Sequence, residues 1–251
     1  MNTVAGPEKI IHETILSFLA SLRNLGFISH KMKTFSLIAL IALAPMLSAE
    51  SLLDDLDKPQ LDQVMHGKQV VIKQVVEGKP WPRVKLYQRV QATPEEVAAV
   101  FFNYPNAKEY IPKIFKSDIG TRISPCVLEV DYGLDVPILP DEFYTVRTSL
   151  TAGANGSYCV TWVLLRAIQT KASEGNLLIE RSQEGAVIRY TNFVTPGSAM
   201  AGLLKLIAIE QMRDTVHAIV RQVEKQKREN PGALNLEVLS LREALRKEVA
   251  K

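Results

Sequence analysis

The feature that most constrains this chain is a run of six short β-strand patterns that leads into one long amphipathic helix. Alternating apolar and polar residues mark the strands, and turn-forming stretches such as "AGANGS", "ASEGN" and "QEGA" separate them. The six patterns cover about 118–123, 126–134, 142–151, 157–168, 176–183 and 186–194. Strands at this spacing predict one large antiparallel sheet. The helix, over about 199–228, has an apolar stripe that must pack on that sheet.

Two more strands and a short helix are predicted before this run. The strands lie at 69–76 and 83–92, and the second is expected to turn Tyr87 and its basic neighbours towards water. Thr93 as N-cap and Pro94 at the first helical position predict the helix that follows. Two strands, a helix, six strands and a long helix predict an α+β fold with one antiparallel sheet. A sheet curled around the long helix would enclose apolar volume between them.

The N-terminal region contains the stretch "KMKTFSLIALIALAPMLSAE", which has the pattern of a secretory signal peptide. Its 13 uncharged residues from Phe35 to Leu47 are fewer than the roughly 20 that a spanning helix needs. Lys31 and Lys33 supply the positive charge that precedes such a segment. We therefore expect residues 32–51 to be a signal peptide and the protein to be periplasmic or secreted. An uncleaved N-terminal anchor is the alternative.

These patterns divide the chain into five segments. Translation is expected to start at Met32, which makes 1–31 an upstream extension. A cut after Ser51 places small residues, Ala49 and Ser51, where signal cleavage prefers them, whereas a cut after Ala49 places Leu47 there. The remaining segments are an N-terminal helix at 52–68 that Pro59 interrupts, the main domain at 69–229, and a C-terminal tail helix at 230–251.

Composition excludes several classes of function. The net charge is +3, and without residues 1–49 it is +1, from 26 basic and 25 acidic residues. This is too little positive charge for a nucleic-acid-binding surface. Two cysteines, Cys126 and Cys159, have no metal-ligand spacing, and either one disulfide or two buried thiols fits them. Beyond residue 49, His66 and His217 have no partners in the sequence for catalysis. We expect no metal and no cofactor.

Two stretches resemble a known family of domains. "VKLYQRVQATPEEVAAVFFNYPNAKEYIPKI" is similar to the opening of START-like domains, the polyketide cyclase/dehydrase or SRPBCC superfamily. "TNFVTPGSAMAGLLKLIAIEQMRDTVHAIVRQVEKQ" resembles their C-terminal helix. The resemblance covers about residues 65–228 and is one of order and pattern. It implies a helix-grip fold, in which a curved antiparallel sheet wraps around a long C-terminal helix.

The resemblance also implies a function for the space between sheet and helix. START-like domains hold a lipid, sterol, quinone or polyketide-like molecule there, and a signal peptide would make this chain an exported bacterial member. The leading hypothesis is a monomer that binds a lipid or other apolar small molecule and carries or presents it. One alternative is a cyclase or hydratase that uses the same cavity, although no convincing inward acid or base is visible in the sequence. Another is a protein-interaction module that docks through its last helix.

Candidate ligand-binding residues follow from strand alternation and from one loop. Polar or aromatic residues on inward strand faces could contact a ligand, or could instead bond a neighbouring strand or fill the core. The loop "LDVPILPDEF" is an apolar segment between strands that could gate the cavity, make transient contact with a membrane, or pack on the long helix. The candidates are Gln88, Tyr132, Trp162, Tyr190, Asn192, Ile138, Leu139 and Met212.

Overall fold

The computed structural model describes residues 51–136, 140–197 and 201–250, apart from the side chains of 154 and 201–203. The predicted signal peptide and upstream extension lie outside these residues, as do Ile138 and Leu139. The strands are β1 Val70–Gln74, β2 Arg83–Val90, β3 Ile114–Arg122, β4 Val127–Leu134, β5 Glu142–Ala152, β6 Tyr158–Ala167, β7 Thr170–Ser182 and β8 Gly185–Pro196. The α-helices are α1 Lys58–Met65, α2 Pro94–Phe102, α3 Ala107–Tyr110, α4 Ala201–Glu229 and α5 Pro231–Val249.

The eight strands form one antiparallel sheet in the order β1-β2-β8-β7-β6-β5-β4-β3. The sheet curves around α4, so the predicted α+β helix-grip architecture is confirmed. The main core lies between them. It joins Val84 and Leu86 of β2 and Ile188 of β8 to Val216 and Val223 of α4. The predicted helix cap also forms, because Thr93 accepts a hydrogen bond from the backbone N–H of Glu96, whose side chain bonds Thr93 in return.

One predicted turn is a strand. The stretch "ASEGN" lies inside β7, which pairs with β8 from Thr170 opposite Pro196 to Ser182 opposite Gly185. Tertiary pairing over this length overrides the local turn preference. Gly175 leaves room for the Trp162 ring to pack against β7, because an added Cβ would lie 2.4 Å from that ring and 2.3 Å from the carbonyl oxygen of Thr191.

We define the N-terminal strap as Ser51–Met65. Two predictions, the bounds of the N-terminal helix and the exposure of Tyr87, differ from what this segment shows. Its helix is shorter than 52–68, since residues before Lys58 form turns, and Pro59 lies in the first turn of α1. The strap covers the outer face of β2 and β8, where Leu52 and Val64 pack with Tyr87 and Val187. Tyr87 is therefore fully buried, and the prediction that it faces water is wrong.

The last helix, α5, is part of the main domain. Leu234, Val238 and Leu241 are buried in the main core, and the Arg242 guanidinium bonds both carboxylate oxygens of Glu95 in α2 at 2.6 and 2.7 Å. The tail helix predicted at 230–251 therefore closes one end of the fold with its apolar face.

Candidate functional site

A cavity of about 290 Å³ lies between α4 and the concave face of the sheet. Its sheet side is lined by residues that alternate along the strands, such as Tyr144, Val146 and Thr148 on β5. This alternation follows from strand geometry, which turns every second side chain to the same face. On the other side, α4 contributes Leu204, Ile207, Ala208, Gln211, Met212 and Thr215, which recur at helical spacing.

Aromatic rings dominate the sheet side of the cavity. Tyr132 and Tyr144 stack with their centroids 5.2 Å apart, and Trp162 and Tyr190 lie at 5.1 Å. Burial is the largest cause that raises the pKa of Tyr132 well above its usual value. It likewise raises the pKa of Tyr144 and of Tyr190. The three phenols are therefore neutral at physiological pH, and they offer hydrogen-bonding groups rather than charge.

The side chain of Glu142 also lies in the wall, but its carboxylate already accepts hydrogen bonds from the backbone of the β6–β7 turn. Glu142 is 4% exposed. It accepts hydrogen bonds from the backbone N–H groups of Ile168 at 2.8 Å and Gln169 at 3.0 and 3.1 Å, and from the Thr170 hydroxyl at 3.4 Å. Both carboxylate oxygens thus hold the β6–β7 turn against the start of β5, which is a structural use of the charge.

One end of the cavity lies at the edge where β4, β6 and β8 end and where β3, β5, β7 and α4 begin. Pro112 and Val136 line the cavity there. Exposed apolar side chains surround this edge, namely Phe115, Phe143, Ile168 and Leu206, the last two being 69% and 67% exposed. Such an apolar rim is typical of a surface that meets another apolar surface.

The solved structures that share this architecture include the following three. A STAR-related lipid transfer protein from Xanthomonas axonopodis matches with a TM-score of 0.57 at 14% identity, over 62% of this chain and 93% of that one. Human STARD10 matches with a TM-score of 0.52 at 16% identity, over 65% and 74%. The aromatase/cyclase ZhuI from Streptomyces sp. R1128 matches with a TM-score of 0.51 at 16% identity, over 59% and 96%.

The chain has a START-like fold. Identities this low establish the shared fold only. No protein-family model matches the sequence, and no curated protein matches it either. The START-like core is extended here by elements that the resemblance alone does not imply, the N-terminal strap and α5.

Most of the predicted site residues line the cavity. They are Tyr132, Trp162, Tyr190, Asn192 and Met212, and their contact with a ligand stays a prediction. Gln88 is absent from the cavity wall. It is 5% exposed, and its amide donates a 2.7 Å hydrogen bond to the carbonyl oxygen of Gly67. The sequence predicts Gln88 as a ligand contact, and the structure instead places it outside the cavity wall. Ile138 and Leu139 lie outside the described residues, although Leu134 and Val136 before them and Glu142 after them line the cavity.

Sequence reasoning missed several cavity residues. Tyr144 could have been found by the alternation of β5, because it shares a face with Val146. Gln211 could have been found as a polar residue beside the apolar stripe of α4. Glu142 lies two residues before Tyr144 and continues the same alternation, but that local pattern does not show that the β6–β7 turn binds its carboxylate.

Other candidate chemistry is not assembled in the described part of the chain. Cys126 and Cys159 are both free thiols, and burial raises the pKa of Cys126 to about 11. Within residues 51–136, 140–197 and 201–250, no group of His, Cys, Asp and Glu side chains could hold a metal ion. No helix of these same ranges is long and apolar enough to cross a membrane.

Proposed function

We propose that this protein binds a lipid or another apolar small molecule in its cavity and carries or presents it outside the cytoplasm. The observation that carries this proposal is the cavity wall of aromatic and aliphatic side chains around about 290 Å³. Burial of apolar surface contributes about 25 cal/mol per Å², so such a wall favours an apolar occupant without covalent chemistry. The similarity to a structure described as a lipid transfer protein supports the same assignment.

The cavity size favours one compact or single-chain ligand. Ligand pockets range over roughly 300–1,000 Å³, and this cavity lies at the lower end of that range. The aromatic pairs Tyr132–Tyr144 and Trp162–Tyr190 give the wall flat faces, which suit ring systems as well as alkyl chains.

The apolar rim supports a transient contact with a membrane or another apolar surface during ligand entry and release. Phe115 and Phe143 pack edge to face at 5.6 Å while each leaves nearly half of its surface in water. The position outside the cytoplasm rests on the signal-peptide pattern of residues 32–51.

Binding is favoured over cyclase or hydratase chemistry by the state of Glu142. General acid–base catalysis needs a group within hydrogen-bond reach of the reacting proton. Both oxygens of Glu142 already accept hydrogen bonds from the β6–β7 turn. The pKa values of the cavity tyrosines Tyr132, Tyr144 and Tyr190 are raised by burial, which moves them further from the neutral range that suits acid–base catalysis.

A neutral fluorescent probe tests the proposal. The full chain should bind N-phenyl-1-naphthylamine with a rise in fluorescence, and native mass spectrometry with organic extraction should show an apolar molecule that co-purifies. Ala208→Phe fills the cavity from α4 and should weaken probe binding at least about tenfold, since the ring takes space that the ligand needs. Lys225→Phe, at an exposed position of the same helix that does not line the cavity, is the control and should bind as the wild type does. Equal probe binding by wild type and Ala208→Phe would contradict the proposal.

A further inference from the structure

The charge of the cavity wall restricts the ligand further. Among the described residues that line the cavity, Glu142 is the single Asp, Glu, Lys, Arg or His. The two segments that the structure does not describe after Val136 and Gly197, residues 137–139 and 198–200, contain no ionisable residue in the sequence, and neither do residues 201–203. A carboxylate or phosphate inside the cavity would therefore lack a cationic partner. Burying an unpaired ion costs far more free energy than burying a neutral polar group.

A cationic ligand is disfavoured by the bonding of Glu142. This carboxylate is the one negative group that could pair with it in the described wall, and both of its oxygens are held by the β6–β7 turn. Drawing Glu142 towards a ligand would leave the backbone N–H groups of Ile168 and Gln169 without their acceptor. The described wall therefore offers no free charged group that could pair with either an anionic or a cationic ligand.

Two amide side chains in the wall carry buried atoms without a hydrogen-bond partner. The Asn192 Oδ1 acceptor lies on the β8 side of the cavity, and the Gln211 Nε2 donor lies on the α4 side. Buried polar atoms in proteins are nearly always paired, and an unpaired one destabilises the structure. Asn192 Oδ1 requires a donor, and Gln211 Nε2 requires an acceptor. A hydroxyl group offers both, whereas a ketone, quinone or ether oxygen offers only an acceptor.

We propose that the cavity selects an uncharged ligand that carries a hydroxyl group, with Asn192 accepting from it and Gln211 available to donate. This inference rests on the proposed function and adds the chemical class of the ligand. The apolar body of the ligand lies against the aromatic wall, and the two amides determine which neutral polar group is accepted.

A series of matched compounds, each with an unbranched twelve-carbon chain, tests the inference by displacement of N-phenyl-1-naphthylamine from the full chain at pH 8. The compounds are 1-dodecanol, 1-methoxydodecane, dodecanoate and dodecylammonium. An unbranched chain adapts to the cavity shape, so the comparison reports the head group. We expect dodecanol to bind roughly three- to tenfold more tightly than the methyl ether, the value of one added hydrogen bond. Both ions should bind at least about tenfold more weakly than dodecanol.

The variant Asn192→Leu should abolish the preference for the alcohol over the ether. Asn176→Leu is the matched control, because Asn176 is also a partly buried strand asparagine with an unpaired Oδ1 but does not line the cavity. It should keep the preference. If Asn192→Leu does not fold, the wild-type series decides alone.

The possible failures are distinguishable. Absence of probe binding by wild type would overturn the proposed function itself. Probe binding with dodecanoate or dodecylammonium as strong a competitor as dodecanol would overturn this inference only. This inference alone would also be overturned if the ether displaced the probe as strongly as the alcohol does, or if dodecanol did not displace the probe.

Discussion

The phenol of Tyr87 donates a 2.7 Å hydrogen bond to Asp55 Oδ2 on the far side of the sheet from the cavity. The same oxygen accepts from Lys85 and, at 3.3 Å, from Arg189. One carboxylate of the N-terminal strap is thus bonded to three side chains of β2 and β8. Asp55 therefore fastens the strap, and the strap in turn covers Tyr87 and Val187.

Replacing Asp55 should destabilise the domain. We expect Asp55→Asn to lower the free energy of unfolding by about 1.5–3 kcal/mol, the usual value of hydrogen bonds to a charged group. Chemical denaturation at pH 7 measures it. Asp62→Asn is the control, because Asp62 is an exposed residue of the same strap, and its change should stay within about 0.5 kcal/mol. Equal stability of the two variants would contradict the role of Asp55.

The contribution of Asp55 should disappear in acid. Burial raises the pKa of Asp55, but hydrogen bonds from Lys85 and Tyr87 outweigh this, and the net pKa lies below its usual value. A lowered pKa in the folded state stabilises the fold above the unfolded pKa, about 3.9 for Asp, and this stabilisation is lost as the pH falls through the folded value. The stability difference between wild type and Asp55→Asn should therefore shrink below about pH 4. A difference that is constant from pH 7 to pH 3 would contradict this.

Gly175 should be intolerant of a side chain. In Gly175→Ala the new Cβ would meet the Trp162 ring and the Thr191 carbonyl oxygen, so Trp162 must move. We expect a loss of about 1–3 kcal/mol in unfolding free energy and a change in tryptophan fluorescence. Gly232→Ala is the control, since an added Cβ there meets no atom within 4 Å. It should be neutral or stabilising by up to about 1 kcal/mol through helix propensity. Similar losses in both variants would argue against the packing of Trp162 on Gly175.

The last helix should be required for the stability of the domain. Leu241 is 3% exposed in the main core, whereas Leu239 of the same helix is 56% exposed. Leu241→Ala should therefore lower the free energy of unfolding by about 2–5 kcal/mol, and Leu239→Ala should change it by less than about 0.5 kcal/mol. Thermal or denaturant unfolding measures both. An unchanged stability in Leu241→Ala would mean that α5 is a peripheral tail.

If the protein is exported, processing should leave Ser51 in the mature chain. The Ser51 backbone N–H donates to Asp54 at 2.8 Å, and its hydroxyl donates to Glu180 at 3.1 Å. A cut after Ser51 would remove these bonds, and a cut after Ala49 would keep them. We expect the intact mass of the exported protein to correspond to a start at Glu50. Ser51→Leu should still be processed, and Ala49→Leu should not. A mature chain that starts at Leu52 would contradict this and support the cut that the sequence pattern favours.

The sequence by itself determined the class of fold and the set of elements. Strand alternation with turn signals located eight strands, and the stripe of α4 required a large apolar partner. These patterns are local, so they can be read without the fold. The same alternation identified Tyr132, Trp162, Tyr190 and Asn192 as inward residues, and the cavity confirmed that they share one wall.

Only the tertiary structure decided which surfaces are covered and which polar groups are already bonded. Tyr87 has the alternation of an exposed residue and is buried because the strap lies over it. Gln88 has the alternation of a cavity residue but is bonded to Gly67, and Glu142 is bonded within a turn that closes over it. Such states depend on partners far away in the chain, and a local pattern carries no information about them. The candidate polar contacts of Asn192 and Gln211 with a ligand were identified in the same way, because only the folded cavity shows which of their atoms lack a hydrogen-bond partner.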